Sequence, residues 1–169
     1  MKISGVFLLV LAVFCCRRLA AICPPGWQEF GESCYAGLPG TSSWRDANDS
    51  CTEQQATLAV PNSKAENYYI WGFFEPRVDM WLGCSDLDMD GNWTCLFGGE
   101  SSGFQNWGTN QPDGNIKEGK AVCACTTGSK TWDDRPCYKN YRAVCKRPVR
   151  HPGFCLETGR DGRLIVPSV

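Results

Sequence analysis

Apolar positions are unevenly spread along the chain. Ile3 to Cys16 is an apolar run of 14 residues, with Lys2 before it and the small residues Ala20 and Ala21 after it. A positive start, an apolar stretch and small residues, in that order, predict a secretory signal peptide over residues 1–21. The other reading of such a run, a membrane anchor, needs about 20 apolar residues. Arg17 and Arg18 follow the run and leave the cut position open. No later segment is long and apolar enough to span a bilayer, so the expectation is a secreted, soluble chain with no membrane span.

Beyond that run the apolar positions come in short periodic stretches. Ser43-Trp44-Arg45-Asp46 has capping-box spacing, and Trp44, Ala47 and Cys51 follow at helical intervals. Leu58-Ala59-Val60 reads as a short strand stopped by Pro61. Ser63-Lys64-Ala65-Glu66 is a second capping box, opening a helix to about Phe74 that Pro76 ends. Met80–Cys84 and Asn92–Leu96 read as strands flanking the Asp90-Gly91 turn. Residues 98–120 are rich in Gly, Asn, Ser and Asp, which predicts a long loop that is either functional or disordered. Residues 121–125 and 141–145 read as closing strands, and 148–169 as a tail.

Composition narrows the function classes. The full chain carries 17 Lys+Arg against 18 Asp+Glu, without the basic excess of a nucleic-acid binder. Removing residues 1–21 takes away Lys2, Arg17 and Arg18 and no acid, leaving the mature chain more acidic. Twelve cysteines point to an oxidising compartment. Ten remain after residue 21, namely 23, 34, 51, 84, 95, 123, 125, 137, 145 and 155, an even number that permits full pairing. A single histidine, His151, excludes a Cys2His2 finger and an H-E-x-x-H metalloprotease. It lies in the tail beside prolines and reads as a surface residue. No nucleophile–base pair is visible, so an enzyme is not expected. Asn48-Asp49-Ser50 and Asn92-Trp93-Thr94 are N-glycosylation sequons, at Asn48 and Asn92.

Cys123-Ala124, then Trp132-Asp133-Asp134-Arg135-Pro136-Cys137, then Ala143-Val144-Cys145 resemble the C-terminal signature of C-type lectin domains. Trp81-Leu82-Gly83 resembles that family's W-I-G-L strand, and Asn106-Trp107 with Gln111-Pro112-Asp113 its sugar-binding loop. Cys23-Pro24-Pro25-Gly26-Trp27 and Phe30–Tyr35 resemble the N-terminal hairpin of the long form. The resemblance implies an α+β C-type lectin fold: two helices, two small antiparallel sheets and a long loop region, stapled by disulfides. The domain would occupy residues 22–147, between the signal peptide at 1–21 and the tail at 148–169. The resemblance also implies the bridges Cys23–Cys34, Cys51–Cys145 and Cys123–Cys137. Four cysteines fall outside that scheme. Cys84 and Cys95 are symmetric about the Asp88–Gly91 turn and face each other in a hairpin, so they are paired here. That leaves Cys125 and Cys155, as an intramolecular Cys125–Cys155 bond or with Cys155 free for an intermolecular one; the even count favours the first.

In such domains the long loop and the following strand hold Ca²⁺, a hard ion that takes about 6–8 oxygen ligands. By position, Gln111 and Asp113 match the loop pair, and Asp133 and Asp134 the pair usually written Asn-Asp. The order Gln-Pro-Asp resembles members that prefer galactose, and the bond before Pro112 is typically cis in that motif. This sequence also departs from the pattern. Ala121 stands where the family places a Glu, with Glu118 as the nearest acid; Asp133 replaces an Asn; and no aromatic follows Asp113. Arg135 could neutralise the three aspartates without a metal. A second family site, at Asp86 and Asp90, has Gly114 and Ala121 where further ligands would stand, and reads as a solvated acidic turn. Trp81, Trp93, Trp107 and Trp132 read as core residues.

Two functions of different class follow. The first is a secreted carbohydrate-binding module, dependent on calcium and of galactose type, with a glycan as partner. The alternative is a C-type-lectin-like domain that binds protein or matrix and has lost calcium-mediated sugar binding.

Overall fold

The computed structural model describes residues 23–96, 103–114 and 121–150, and the backbone of Glu157–Thr158 and Leu164–Ile165. The expected signal peptide, Glu118, His151 and Cys155 lie outside the described residues. Cys23–Arg150 forms one compact unit. Its elements in chain order are β1 (Gln28–Phe30), β2 (Ser33–Gly37), α1 (Trp44–Glu53), β3 (Thr57–Leu58), α2 (Lys64–Trp71), β4 (Met80–Asp86), β5 (Thr94–Cys95), β6 (Val122–Thr126), β7 (Trp132–Pro136) and β8 (Arg142–Pro148). Outside this unit, β9 (Glu157–Thr158) and β10 (Leu164–Ile165) pair antiparallel.

The strands form two antiparallel ladders. One runs β1–β2–β8 with β3 added on β8; the other runs β4–β6–β7 with β5 added on β4. A short parallel pairing, Met80 with Arg142 and Trp81 with Ala143, joins them. With two helices and these ladders the fold is α+β.

Both helices start where a serine can satisfy an orphan amide. The Ser43 hydroxyl accepts from the Asp46 amide, and the Ser63 hydroxyl from the Glu66 amide, both at 3.2 Å. The second helix ends earlier than the proline predicts. Gly72 caps it, its amide bonding to Tyr68 at 3.0 Å, so the chain leaves the helix before Pro76 is reached.

Apolar side chains pack on both faces of the sheet. Trp44, Ala47, Leu58, Trp81 and Ala143 fill the α1 side; Tyr35, Ile70, Met80, Leu82, Trp132 and Val144 fill the α2 side. Each fully buried large apolar side chain contributes roughly 1.5–3 kcal/mol. The indole N–H groups are satisfied by chain atoms: Trp44 donates to Leu82 O, Trp81 to Ser42 O and Trp132 to the Asn67 side chain. Trp93 and Trp107 are half-buried and meet edge to face at 4.6 Å. Gly83 must be glycine, because a Cβ there would sit 2.6 Å from Leu58 O.

Four disulfides tie the unit: Cys23–Cys34, Cys51–Cys145, Cys84–Cys95 and Cys123–Cys137. Cys84 and Cys95 are direct cross-strand partners between β4 and β5. The expected Cys125–Cys155 bridge is corrected. Cys125 is a free thiol, buried in the middle of β6 among Trp81, Cys51 and Ala143. The alternation of β6 aims it into the core. Packing also continues beyond residue 147: the Val149 amide donates to Glu32 O at 3.0 Å and Arg150 donates to the Gln55 side chain.

One buried polar network fastens α2 to the sheet. Glu66 is almost fully enclosed, and Lys146 Nζ lies 2.6 Å from its Oε1. The Tyr35 hydroxyl donates to that same oxygen at 2.5 Å, and the Asn62 amide to Oε2 at 2.8 Å. Burial, then Glu66 beside it, hold the Tyr35 phenol well above its ordinary range.

Candidate functional site

β7 carries two of the five expected site residues, Gln111, Asp113, Glu118, Asp133 and Asp134. It pairs antiparallel with β6, placing Asp133 opposite Cys125 and Asp134 opposite Ala124. Side chains alternate along a strand. Trp132 and Asp134 therefore share the face that meets the long loop, while Asp133 and Arg135 share the other. Sheet and tryptophan packing bury both carboxylates, Asp133 to 8% and Asp134 to 2% exposure.

The loop reaches β7 through backbone hydrogen bonds. Trp132 N donates to Asn106 O at 2.8 Å and Gly108 N to Trp132 O at 2.9 Å. Trp107 and Phe104 set their rings edge-on against Trp132. This anchoring brings Gln111-Pro112-Asp113 over the end of β7, with the Gln111–Pro112 bond cis. The Asp113 amide donates to Asp134 Oδ1 at 2.9 Å and to Gln111 Oε1 at 3.0 Å. Gln111, Asp113 and Asp134 are thus brought together.

Asp133 is held differently. Its Oδ2 is ion-paired with Arg135. Burial raises the Asp133 pKa above the usual carboxylate value, Arg135 opposes that, and the nearby charges of Asp134 and Asp113 add to the rise. The Arg135 pairing considered from the sequence is present, but it engages one aspartate of the three. Among the described residues no three acidic, histidine or cysteine side chains converge as a ready cage. The strand alternation at 133 and 134 accounts for that.

Two atoms test whether these residues fit a cation. Asp133 Oδ1 and Asp134 Oδ2 are buried and accept no hydrogen bond. A buried carboxylate oxygen without a donor is costly, and a bound cation removes the cost. Both unpartnered atoms belong to the expected ligand pair, so the donor chemistry fits a hard divalent ion. Glu118 lies outside the described residues, and Ala121 uses its carbonyl to accept from the Cys137 amide at 3.2 Å.

The second acidic group sits at the β4–β5 hairpin. Asp86 is buried, and its carboxylate accepts from the Asp90 and Gly91 amides at 3.1 and 3.0 Å. Asp90 is exposed; the Asn92 side chain and amide bond to it and lower its pKa. These carboxylates spend their oxygens on the turn. A cleft of about 250 Å³ beside it is lined by Trp44, Leu87, Asn92 and Leu96 among others.

Residues 40–147 match the Lectin C-type domain family. The chain belongs to the C-type lectin domain family. The human "C-type lectin domain family 17, member A" is 36% identical over 133 residues, covering 78% of this chain and 33% of that protein. The rat (Rattus norvegicus) asialoglycoprotein receptor 2 is 34% identical over 129 residues, covering 74% of this chain and 42% of that protein. The chain therefore matches less than half the length of these curated relatives. Among solved structures, the carbohydrate-recognition domain of the mouse scavenger receptor C-type lectin aligns with a TM-score of 0.66 at 26% identity, covering 76% of this chain and 99% of that one.

Sequence reasoning missed two parts of this C-type lectin domain. β7 was not read as a strand, because Trp-Asp-Asp-Arg-Pro has neither alternation nor β-branched residues. The Asn67 clamp, accepting from the Trp132 indole at 2.6 Å and donating to Lys130 O at 2.8 Å, was missed as well. Its one signal was a polar residue on the apolar side of α2.

Proposed function

We propose that this C-type lectin domain is a secreted carbohydrate-binding module that takes galactose-terminated glycans in a calcium-dependent manner. The observation that carries the reading is the buried, unpartnered Oδ2 of Asp134, whose other oxygen is bonded to the Gln111-Pro112-Asp113 loop, with a second unpartnered oxygen on the neighbouring β7 residue, Asp133. Gln111, Asp113, Asp134 and the free oxygen of Asp133 would hold the ion, with Glu118 available from the loop. Calcium, when bound, supplies a centre to which two sugar hydroxyl oxygens add. The chain itself sets orientation: the Gln111 amide would donate to a sugar oxygen or accept from a hydroxyl, and Asp113 and Asp133 would only accept, Asp133 where an Asn would donate. The rat relative is named as an asialoglycoprotein receptor, which is said of that protein and supports a glycan ligand here. The proposal includes cleavage of residues 1–21, export, and N-glycans on Asn48 and Asn92, the latter exposed at the hairpin tip. Among the described residues no helix is long and apolar enough to cross a membrane.

The alternative, a protein- or matrix-binding domain without calcium-mediated sugar contact, draws on one observation: Arg135 already neutralises Asp133. Isothermal titration of the purified domain with calcium, with and without galactose, separates the two. The first reading expects calcium heat with a Kd of about 10⁻⁴–10⁻³ M, as in extracellular modules, and galactose heat only when calcium is present. A folded domain with neither heat would leave the alternative.

A further inference from the structure

We propose that the exposed face made by α2 and the turn between β6 and β7 is a second, calcium-independent site, for a sulfated polysaccharide. Lys64, Tyr68 and Trp71 stand at i, i+4 and i+7 on α2 and so share one face. Lys130, in the turn, reaches the same face with its Nζ 5.1 Å from the Tyr68 ring centre and 4.9 Å from that of Trp71. Lys64 Nζ lies 5.7 Å from the Tyr68 ring centre, and the Arg77 guanidinium carbon 4.5 Å from that of Trp71. Cation and ring therefore alternate: Lys64, Tyr68, Lys130, Trp71, Arg77. All but the half-buried Trp71 are exposed.

The row is held in place from below. The Lys130 carbonyl accepts from the Asn67 and Asn106 side chains, both at 2.8 Å, and the Trp71 indole donates to Thr127 O at 2.9 Å. The rings steer the ammonium groups but take none of their charge or donors. Glu75 pairs with Arg77 at 3.0 Å, while Lys64 and Lys130 have no carboxylate partner among the described residues. Two unpaired ammonium groups and the Glu75-paired Arg77 thus stand together on a chain whose overall balance is acidic.

The shape of the row selects the ligand. Lys64 to Trp71 spans about 10 Å along the helix. An extended row of separated positive charges suits a linear polymer with repeated anions better than one small anion. Sulfate stays ionised at any physiological pH, and sulfates on stiff sugar rings are ordered at less entropic cost than carboxylates on flexible peptide side chains. The ring edges between the cations offer apolar contact to the sugar faces. α2 and the β6–β7 turn supply none of Gln111, Asp113, Asp133 or Asp134, so this site stands or falls separately from the calcium reading.

Heparin is the probe, bound to the purified chain in EDTA. The expected result is binding that survives EDTA, with log K falling against log salt at a slope of about −2, as counterions released by the two unpaired lysines give. Lys64→Gln with Lys130→Asn should weaken it roughly three- to tenfold, with an unchanged thermal melt. Asn suits position 130, where φ is +65°. Lys64→Arg with Lys130→Arg should retain binding, and Asp134→Ala should leave it unaltered. Unchanged affinity in the Gln/Asn variant, loss of binding in EDTA, or equal affinity for polyglutamate would each overturn the proposal.

Discussion

Asp134 is the most telling single residue of the calcium reading. One of its oxygens positions the Asp113 amide and the other is buried without a donor. Asp134→Ala should therefore abolish calcium heat in titration while the domain stays folded. Ala121→Glu places an acid where the family has one, and should tighten calcium at least about fivefold, since ligand charge count tunes such sites. If the wild-type protein shows no calcium heat and Ala121→Glu gains it, the natural domain has lost its metal. Residues 111, 113, 133 and 134 were singled out through the family resemblance, and the structure brings Gln111, Asp113 and Asp134 together. The ion pair of Asp133 with Arg135 is geometric, since it depends on which face of β7 each residue takes. Cys125 was misjudged because counting cysteines says nothing of which way a strand aims them. Burial pushes its thiol up to about 12. Alkylation at pH 8 followed by peptide mapping should leave Cys125 unmodified in the native protein and modified after denaturation. The sign for stability follows: the unfolded thiol ionises near 9.0 and the folded one near 12, so the unfolded state binds fewer protons across that window. Cys125 then costs stability as pH rises through it. Native-state labelling of Cys125 at pH 8 would contradict the buried position.

At the scale of elements, the helix starts and the hairpin were readable and the helix end was not. Capping serines announce a start through one local hydrogen bond, whereas the end of α2 is decided at Gly72 by tertiary fit as the chain turns toward β4. The 84–95 hairpin was legible because cysteines equidistant from a turn fall opposite each other in an antiparallel ladder. Its bridge closes 11 residues, for which the chain-entropy model gives somewhat under 3 kcal/mol. Cys84→Ala with Cys95→Ala should accordingly lower the melting temperature yet leave one cooperative transition. The α2 anchor was not legible, because Glu66 read as half of a capping box. Its carboxylate instead takes Lys146, Tyr35 and the Asn62 amide, partners up to 80 residues away. Removing one side of such a pair leaves the other charge buried. Glu66→Gln should cost about 3–5 kcal/mol in denaturant unfolding, and adding Lys146→Met should recover much of it. A Glu66→Gln protein as stable as the wild type would show that the network contributes nothing.

Across the whole molecule, the connections that close the fold do not pass through the proposed metal site. Cys51–Cys145 spans 94 residues and joins α1 to β8, a constraint worth about 4.7 kcal/mol in the chain-entropy model. The two ladders meet at Met80–Trp81 and Arg142–Ala143, and the tryptophan core packs on both sides of that seam. The loop carrying Gln111 and Asp113 is fixed to β7 by its own backbone bonds and by Trp107 and Phe104. Removing calcium should then loosen the rim and spare the core. Thermal melts in EDTA and in calcium should both be single and cooperative. Calcium at ten times its Kd should add about 1.4 kcal/mol by mass action, a rise of several degrees for a domain of this size. Asp134→Ala should melt at the same temperature in both buffers, because it has no site left to saturate. Complete unfolding in EDTA alone would make the ion a structural element and would move Asp133 and Asp134 from the rim of the fold to its foundation. A calcium shift that persists in Asp134→Ala would place the responsible ion elsewhere, with the Asp86–Asp90 hairpin the first region to mutate.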